Sequence, residues 1–274
     1  MLSLLDKRFM PLGAVLGSLL LCAPMLSAGL IADDYIHQLI LRGAPSMPAY
    51  QQHWSALFAF ATDANRAALL DEGILPWWSD PQLRFAFFRP VAALTHVLDM
   101  QLWAASPWLM HLHSFAWSAL ALLAAYALYL RVFAGSRATA RLALLFYALE
   151  PTRAVAVGWI ANRNTLVSLS LSLFAVCVHL DDLNTPRIWR RILSPVLVAL
   201  AVLAGEGGVS GMAFLVAAAV VLDARGRGRA LLALVPHIAA AGGVVALGSV
   251  LGYGMEGSDG YLDPRRDFST YLAA

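Results

Sequence analysis

The strongest constraint on this chain is an alternation: apolar runs separated by connectors, every second one of which carries basic residues. A helix needs about 20 apolar residues to cross the hydrocarbon core, with a range of roughly 17–25. Seven runs are candidates, at approximately 10–32, 108–131, 138–150, 164–180, 192–205, 208–223 and 230–250. Lys7 and Arg8 precede the first. Arg131, Arg137 and Arg141 lie between the second and third, and Arg187, Arg190 and Arg191 between the fourth and fifth. Arg225, Arg227 and Arg229 lie between the sixth and seventh. Lys and Arg gather on the cytoplasmic side of membrane helices. The pattern predicts an all-α, polytopic transmembrane bundle of about seven spans in a bacterial inner membrane, N-terminus cytoplasmic. On this reading 33–107 is the first periplasmic loop, and the tail from about 251 shares its side.

Composition agrees. Hydrophobic residues make up 60% of the chain and charged residues 13%, against about 25% charged in soluble domains. Burying that much apolar surface in one water-soluble core would leave an apolar exterior. The basic residues are dispersed in small groups and no nucleic-acid motif occurs, so no nucleic-acid partner is expected. Cys22 and Cys177 both fall inside apolar runs, which disfavours a disulfide framework or a cysteine-ligated metal. Lys7-Arg8, the first apolar run and Leu26-Ser27-Ala28 also fit a cleaved signal peptide. The run continues through Ala32, which suits an uncleaved first helix better.

The large loop is not uniformly polar. Trp54–Phe60 and Pro90–Trp103 are amphipathic, and Trp54, Trp77, Trp78, Trp103 and Trp108 are of the kind that sits at headgroup level. Short helices lying in the outer interface are expected; an ordinary compact loop is the alternative.

Candidate site residues cluster on the external side. Asp33-Asp34 follows the first span, where an acid is costly unless it has a use. One carboxyl, tuned by burial and by its neighbour, can act as a general base; the plainer reading is a solvated helix stop. Arg89 is an external arginine near His96 and Asp99, suited to forked recognition of phosphate, or else to a surface ion pair. His111 and His113 are two apart and so do not share a helix face, which argues against a paired metal site. The third and fifth spans have only about 13–14 residues, roughly 20 Å of helix, against a core of about 30 Å. If they end below the outer surface, Glu150, Arg153, Arg163 and Glu206 line a recessed polar cavity, the setting in which charged irregular backbone is tolerated at depth. If the span ends lie a turn away, no such recess follows.

The ordered series of motifs resembles the GT-C superfamily of polytopic glycosyltransferases. It is most similar to the transmembrane-and-TPR O-mannosyltransferases and their bacterial relatives, kin of the protein O-mannosyltransferases. The matching residues are Asp33-Asp34-Tyr35; Phe88-Arg89-Pro90-Val91 with Thr95-His96-Val97-Leu98-Asp99 and Leu102-Trp103; and Pro107 with His111-Leu112-His113-Ser114. They continue with Pro151 and Val155-Ala156-Val157-Gly158-Trp159-Ile160-Ala161-Asn162-Arg163-Asn164. Leu203-Ala204-Gly205-Glu206-Gly207 follows, with Gly205 where the family has a lysine. The match runs in order from about 30 to 224; family members extend further, with more helices and in some a TPR region.

The resemblance implies a polyprenyl-phosphate-linked sugar donor used on the outer face, and a carboxylate of the first external loop as base for an inverting transfer. That role maps onto Asp33 or Asp34. Arg89, Arg153 and Arg163 are then candidates for neutralising the leaving phosphate, with His96, Asp99, Glu150 and Glu206 as further donor-site residues; the missing lysine removes one expected phosphate contact. Asp33-Asp34 could hold a divalent cation through oxygens, but the reading assigns no metal and no cofactor. The acceptor is left open, and membrane lipids are the other expected partner. A lipid-binding, flippase-like transporter and an inactive membrane scaffold are the alternatives; seven spans without an inverted repeat count against common transporter designs.

Overall fold

A computed structural model describes residues 8–43, 45, 47–222, 226–257 and 269. Lys7, Arg225 and, apart from 269, the tail beyond 257 lie outside the described residues. The fold is mostly helical, with one small sheet. Among the described residues three stretches are long and apolar enough to cross a membrane: Pro107–Val132, Ile160–Asn184 and Gly228–Val250.

Helix α1 (Met10–Leu21) packs on α6 (Arg137–Ala148), which packs on α5 (Pro107–Val132). Next comes α8 (Arg163–Asn184), between α5 and α9 (Ile188–Ala204), with α12 (Val235–Val250) beyond α9. Helix α10 (Gly211–Val221) packs on α8 and on α11 (Arg227–Leu232). Buried small polar residues seal the α8–α9 seam. Ser168 Oγ donates to the Ala201 carbonyl at 2.9 Å, and Ser194 Oγ to that of Ala175 at 2.8 Å. Small residues that let backbones approach and hydrogen-bond across helices are how apolar bundles cohere without a hydrophobic driving force. At one end of α8, Arg131 forks onto Asp181 through Nε and Nη2, both at 2.8 Å.

The helix expected over 108–131 spans Pro107–Val132. That expected over 10–32 does not run through: α1 stops at Leu21 and a 3-10 turn takes over Ala23–Ser27. Pro24 has no N–H to give the α-helical ladder and its ring clashes with the preceding turn. Asp33-Asp34 therefore does not end the first helix; it opens α2 (Asp33–Arg42).

The loop 33–107 carries its own core. Leu57, Phe58, Leu69, Ala92 and Ala93 are buried, packed between α2, α3 (Arg66–Asp71) and α4 (Pro90–Trp103). Trp54–Phe60 is not an interfacial helix: a 3-10 turn at Trp54–Ala56 leads into strand β1 (Ala59–Ala61). Leu57, Phe58 and Ala59 are all buried, and a helix lying on a surface cannot bury consecutive residues on every side. Nor is the fold purely helical. Strand β1 pairs antiparallel with β2 (Arg84–Ala86), and β2 with β3 (Gly254–Glu256), aligning Phe85 with Met255. The chain after α12 thus returns to complete the unit built by 33–107.

Candidate functional site

A cavity of about 910 Å³ opens where α2 begins, α8 begins, α12 ends and the sheet edge lies. Its polar lining includes Asp33, Arg89, Asn162, Asn164, Thr165 and Glu206. The other walls are aromatic, from Phe58, Phe85, Phe87 and Trp159, and aliphatic, from Val202 and Val244. Measured along α8, Asn164 at the cavity and Asp181 at the arginine cluster are about 26 Å apart, at 1.5 Å per residue.

Backbone geometry sets each polar group. Ala32, just before Asp33, has φ +46° and ψ −114°. A non-glycine residue held in such a region costs of order 1–3 kcal/mol and persists only when its surroundings over-determine it. Pro90 occupies the first turn of α4 and Arg89 is its N-cap; proline there pre-sets the helical start, leaving Arg89 at the cavity wall. Glu206 follows α9 in a turn that folds back tightly. A Cβ at Gly208 would lie 2.4 Å from the Ala201 carbonyl carbon, so only glycine allows that return.

The adjacent acids have different surroundings. Asp33 is partly buried and lines the cavity. Burial raises its carboxyl above the usual aspartate range, and the Arg89 cation pulls it partly back. Asp34 is 3% exposed, and both its oxygens are taken by backbone: Oδ1 accepts from Ala161 N–H at 2.6 Å and Oδ2 from Ile31 N–H at 2.9 Å. Burial raises Asp34 too, against those hydrogen bonds. Asp34 fastens the start of α2 to the turn before α8, and Asp33 is the carboxylate left for a ligand. The pair therefore offers a cation one available carboxylate rather than two. Among the described residues no cluster of three or more His, Cys, Asp and Glu side chains is gathered for a metal.

Arg89 donates from Nε and Nη2 to Glu206 Oε2, at 2.8 and 2.7 Å, and its guanidinium lies 4.1 Å from the Phe87 ring centroid. Arg163, by contrast, is fully buried behind the cavity wall. It pairs with Asp99 Oδ2 at 2.5 Å and donates to Ser114 Oγ and the Met110 carbonyl. Asp99 also accepts from His113 Nδ1 at 2.7 Å. Since Trp117 Nε1–H donates to His113 Nε2 at 3.1 Å, His113 bears its proton on Nδ1. This network ties α4, α5 and α8 together. His111 goes elsewhere, its Nε2 bonding the Gly29 carbonyl at 2.7 Å. His96 is buried beside His37, ring centroids 5.0 Å apart. Burial above all, with the nearby Arg163 cation, pushes its pKa well below the ordinary value.

Of the four residues expected to line a recess, Glu150, Arg153, Arg163 and Glu206, only Glu206 lines this cavity, beside Asp33 and Arg89. Arg153 is buried against Ser18 and Ser118, with its guanidinium 5.0 Å from the Tyr147 ring centroid. Glu150 is exposed and accepts from the Thr152 backbone N–H. Glu150 is engaged within the turn between the end of α6 at Ala148 and the start of α7 (Arg153–Gly158), while Arg153 faces α1 and α5. Asn162 and Asn164 were not singled out as ligands by sequence; their signal was their place on either side of the buried Arg163. Tyr253 and the β3 wall carried none, lying far along the chain from the motifs. No family model matches the chain, and neither a curated protein nor a solved structure matches it.

Proposed function

We propose that this chain is a membrane glycosyltransferase of the GT-C kind, moving a sugar from a polyprenyl-phosphate donor to an acceptor hydroxyl on the periplasmic face. The observation that carries the reading is the meeting of Asp33, Arg89 and Glu206 in one cavity that also has aromatic and aliphatic walls. A lipid-linked sugar phosphate needs those three environments together: a base, a cation and an apolar flank.

In the reaction, the acceptor oxygen attacks C1 of the sugar and its proton passes to Asp33. The C1–O bond to the phosphate breaks, and the electron pair stays with the phosphate oxygen. Arg89 stabilises the charge that grows there, the kind of preorganised electrostatic aid that dominates many enzymes. Attack opposite the leaving phosphate inverts the anomeric centre. In the membrane we place seven crossing segments, α1, α5, α6, α8, α9, α10 and the α11–α12 stretch, with the Arg131–Asp181 end cytoplasmic. The short segments are accommodated by local thinning of the bilayer and by neighbouring helices.

The test is saturable binding and transfer of radiolabelled polyprenyl-phosphate sugars by the purified protein in nanodiscs. Saturable binding with label moved to a hydroxyl acceptor is the expected result. Binding without transfer to any acceptor favours a lipid-binding protein, and no binding refutes the donor class.

A further inference from the structure

The Arg89 guanidinium is already occupied. Two of its nitrogens, Nε and Nη2, converge on one Glu206 oxygen, Oε2. The two partners are held unequally. Arg89 is seated: its side chain is 17% exposed, with Phe87 and Phe58 ring centroids 4.1 and 5.2 Å from the guanidinium carbon. Glu206 is 54% exposed and hangs from a turn with open space around Gly207. A phosphate oxygen approaching the same edge of Arg89 must take the place of Oε2, and Glu206 is the partner with room to leave.

We infer that Glu206 is a displaceable occupant of the phosphate site, holding the ligand's place on Arg89 and setting the charge class the cavity admits. This rests on the reading of the cavity as a polyprenyl-phosphate site. With Asp33 and Glu206 ionised against one Arg89, the three groups sum to one negative charge. A phosphodiester, the form of the loaded donor, adds one more. A phosphomonoester, the form of the spent lipid, adds about 1.5 to 2 at neutral pH. Repulsion from Glu206 therefore weakens the monoester more, so the site favours the loaded lipid and sheds the spent one.

The experiment measures binding of farnesyl phosphate and of a farnesyl-phosphate hexose to the protein in nanodiscs, for wild type, Glu206→Gln, Arg89→Ala and the double variant. Glutamine keeps an oxygen for Arg89 and removes only the charge. Glu206→Gln should tighten the monoester about fivefold, the upper scale of a partly exposed charge pair, and the diester less. In the Arg89→Ala background there is no guanidinium left to occupy and only the repulsion from Glu206 remains, so adding Glu206→Gln should tighten the monoester less than it does in wild type. If both ligands bind wild type and Arg89→Ala weakens them, but Glu206→Gln leaves the monoester unchanged or weaker, Glu206 merely positions Arg89 and this inference falls alone. If neither ligand binds any of the proteins, the donor reading falls with it.

Discussion

Asp34 accepts the backbone N–H of Ala161 at 2.6 Å, across 127 residues of chain. With Ile31 N–H on its other oxygen, it is a structural fastener beside a candidate base. Asparagine has a single acceptor oxygen, so Asp34→Asn would set an NH₂ against one of those N–H groups. The expected loss is about 1–3 kcal/mol of stability, read as a lower melting temperature in detergent, with transfer per folded molecule largely kept. An unchanged melting temperature would contradict the assignment.

The pH profile of transfer reports on Asp33. Burial lifts its carboxyl and Arg89 lowers it partly back, and a base works only when ionised. Activity should therefore rise with pH through a midpoint above the ordinary aspartate value of about 3.9. Arg89→Gln, which removes the cation, should move that acid limb to higher pH. A limb that stays put, or moves down, means another group is titrating. For stability the sign is opposite: a raised acid stabilises the fold below its ordinary pKa, and that contribution is lost as pH rises through the folded value.

His37 should make the fold acid-sensitive. Its ring meets Phe58 edge-on at 4.6 Å and lies nearly parallel to Phe60 at 5.8 Å. Burial first, then the Arg89 and Arg163 cations, lower its pKa to about 3, against about 6.5 in the unfolded chain. The unfolded chain thus binds the proton first. The stability is fully present above about pH 6.5 and is lost as pH falls towards 3. His37→Phe should shrink the difference in melting temperature between pH 7.5 and pH 4.5; an unchanged difference would show that other groups carry the acid response.

Orientation is tested by cysteine accessibility. Single cysteines at Ser136, Thr185 and Gly226 should react with a membrane-impermeant maleimide only after the inner membrane is opened. Labelling of Ser136 in intact spheroplasts would overturn the topology.

How much of this was legible in the sequence differs element by element. Helix α5 was, because Pro107 and Arg131 punctuate its ends. The run read as 164–180 continues to Asn184: Asp181 and Asp182 look like a helix stop, yet each is paired with an arginine, Asp181 with Arg131 and Asp182 with Arg191. The sheet was not legible, since its strands have three residues each and β3 comes from far along the chain. In the site, the motifs named Asp33, Arg89 and Glu206 together with Asp34, His96, Asp99, Glu150, Arg153 and Arg163, and spacing alone could not bring Arg89 and Glu206 together across 117 residues. Neither could it divide Asp33 from Asp34. That division depends on which acid finds the backbone N–H groups of Ile31 and Ala161, a fact of tertiary packing.

The central claim is that Asp33 accepts the proton of the acceptor hydroxyl. Its most direct test is single-turnover transfer from a radiolabelled polyprenyl-phosphate sugar by Asp33→Asn, beside wild type, in nanodiscs. Asparagine keeps the shape and cannot take the proton; loss of a general base typically costs about 10²–10⁴-fold in rate. A fall of that size is expected, with melting temperature and donor affinity near those of wild type. Transfer by Asp33→Asn at the wild-type rate would contradict it.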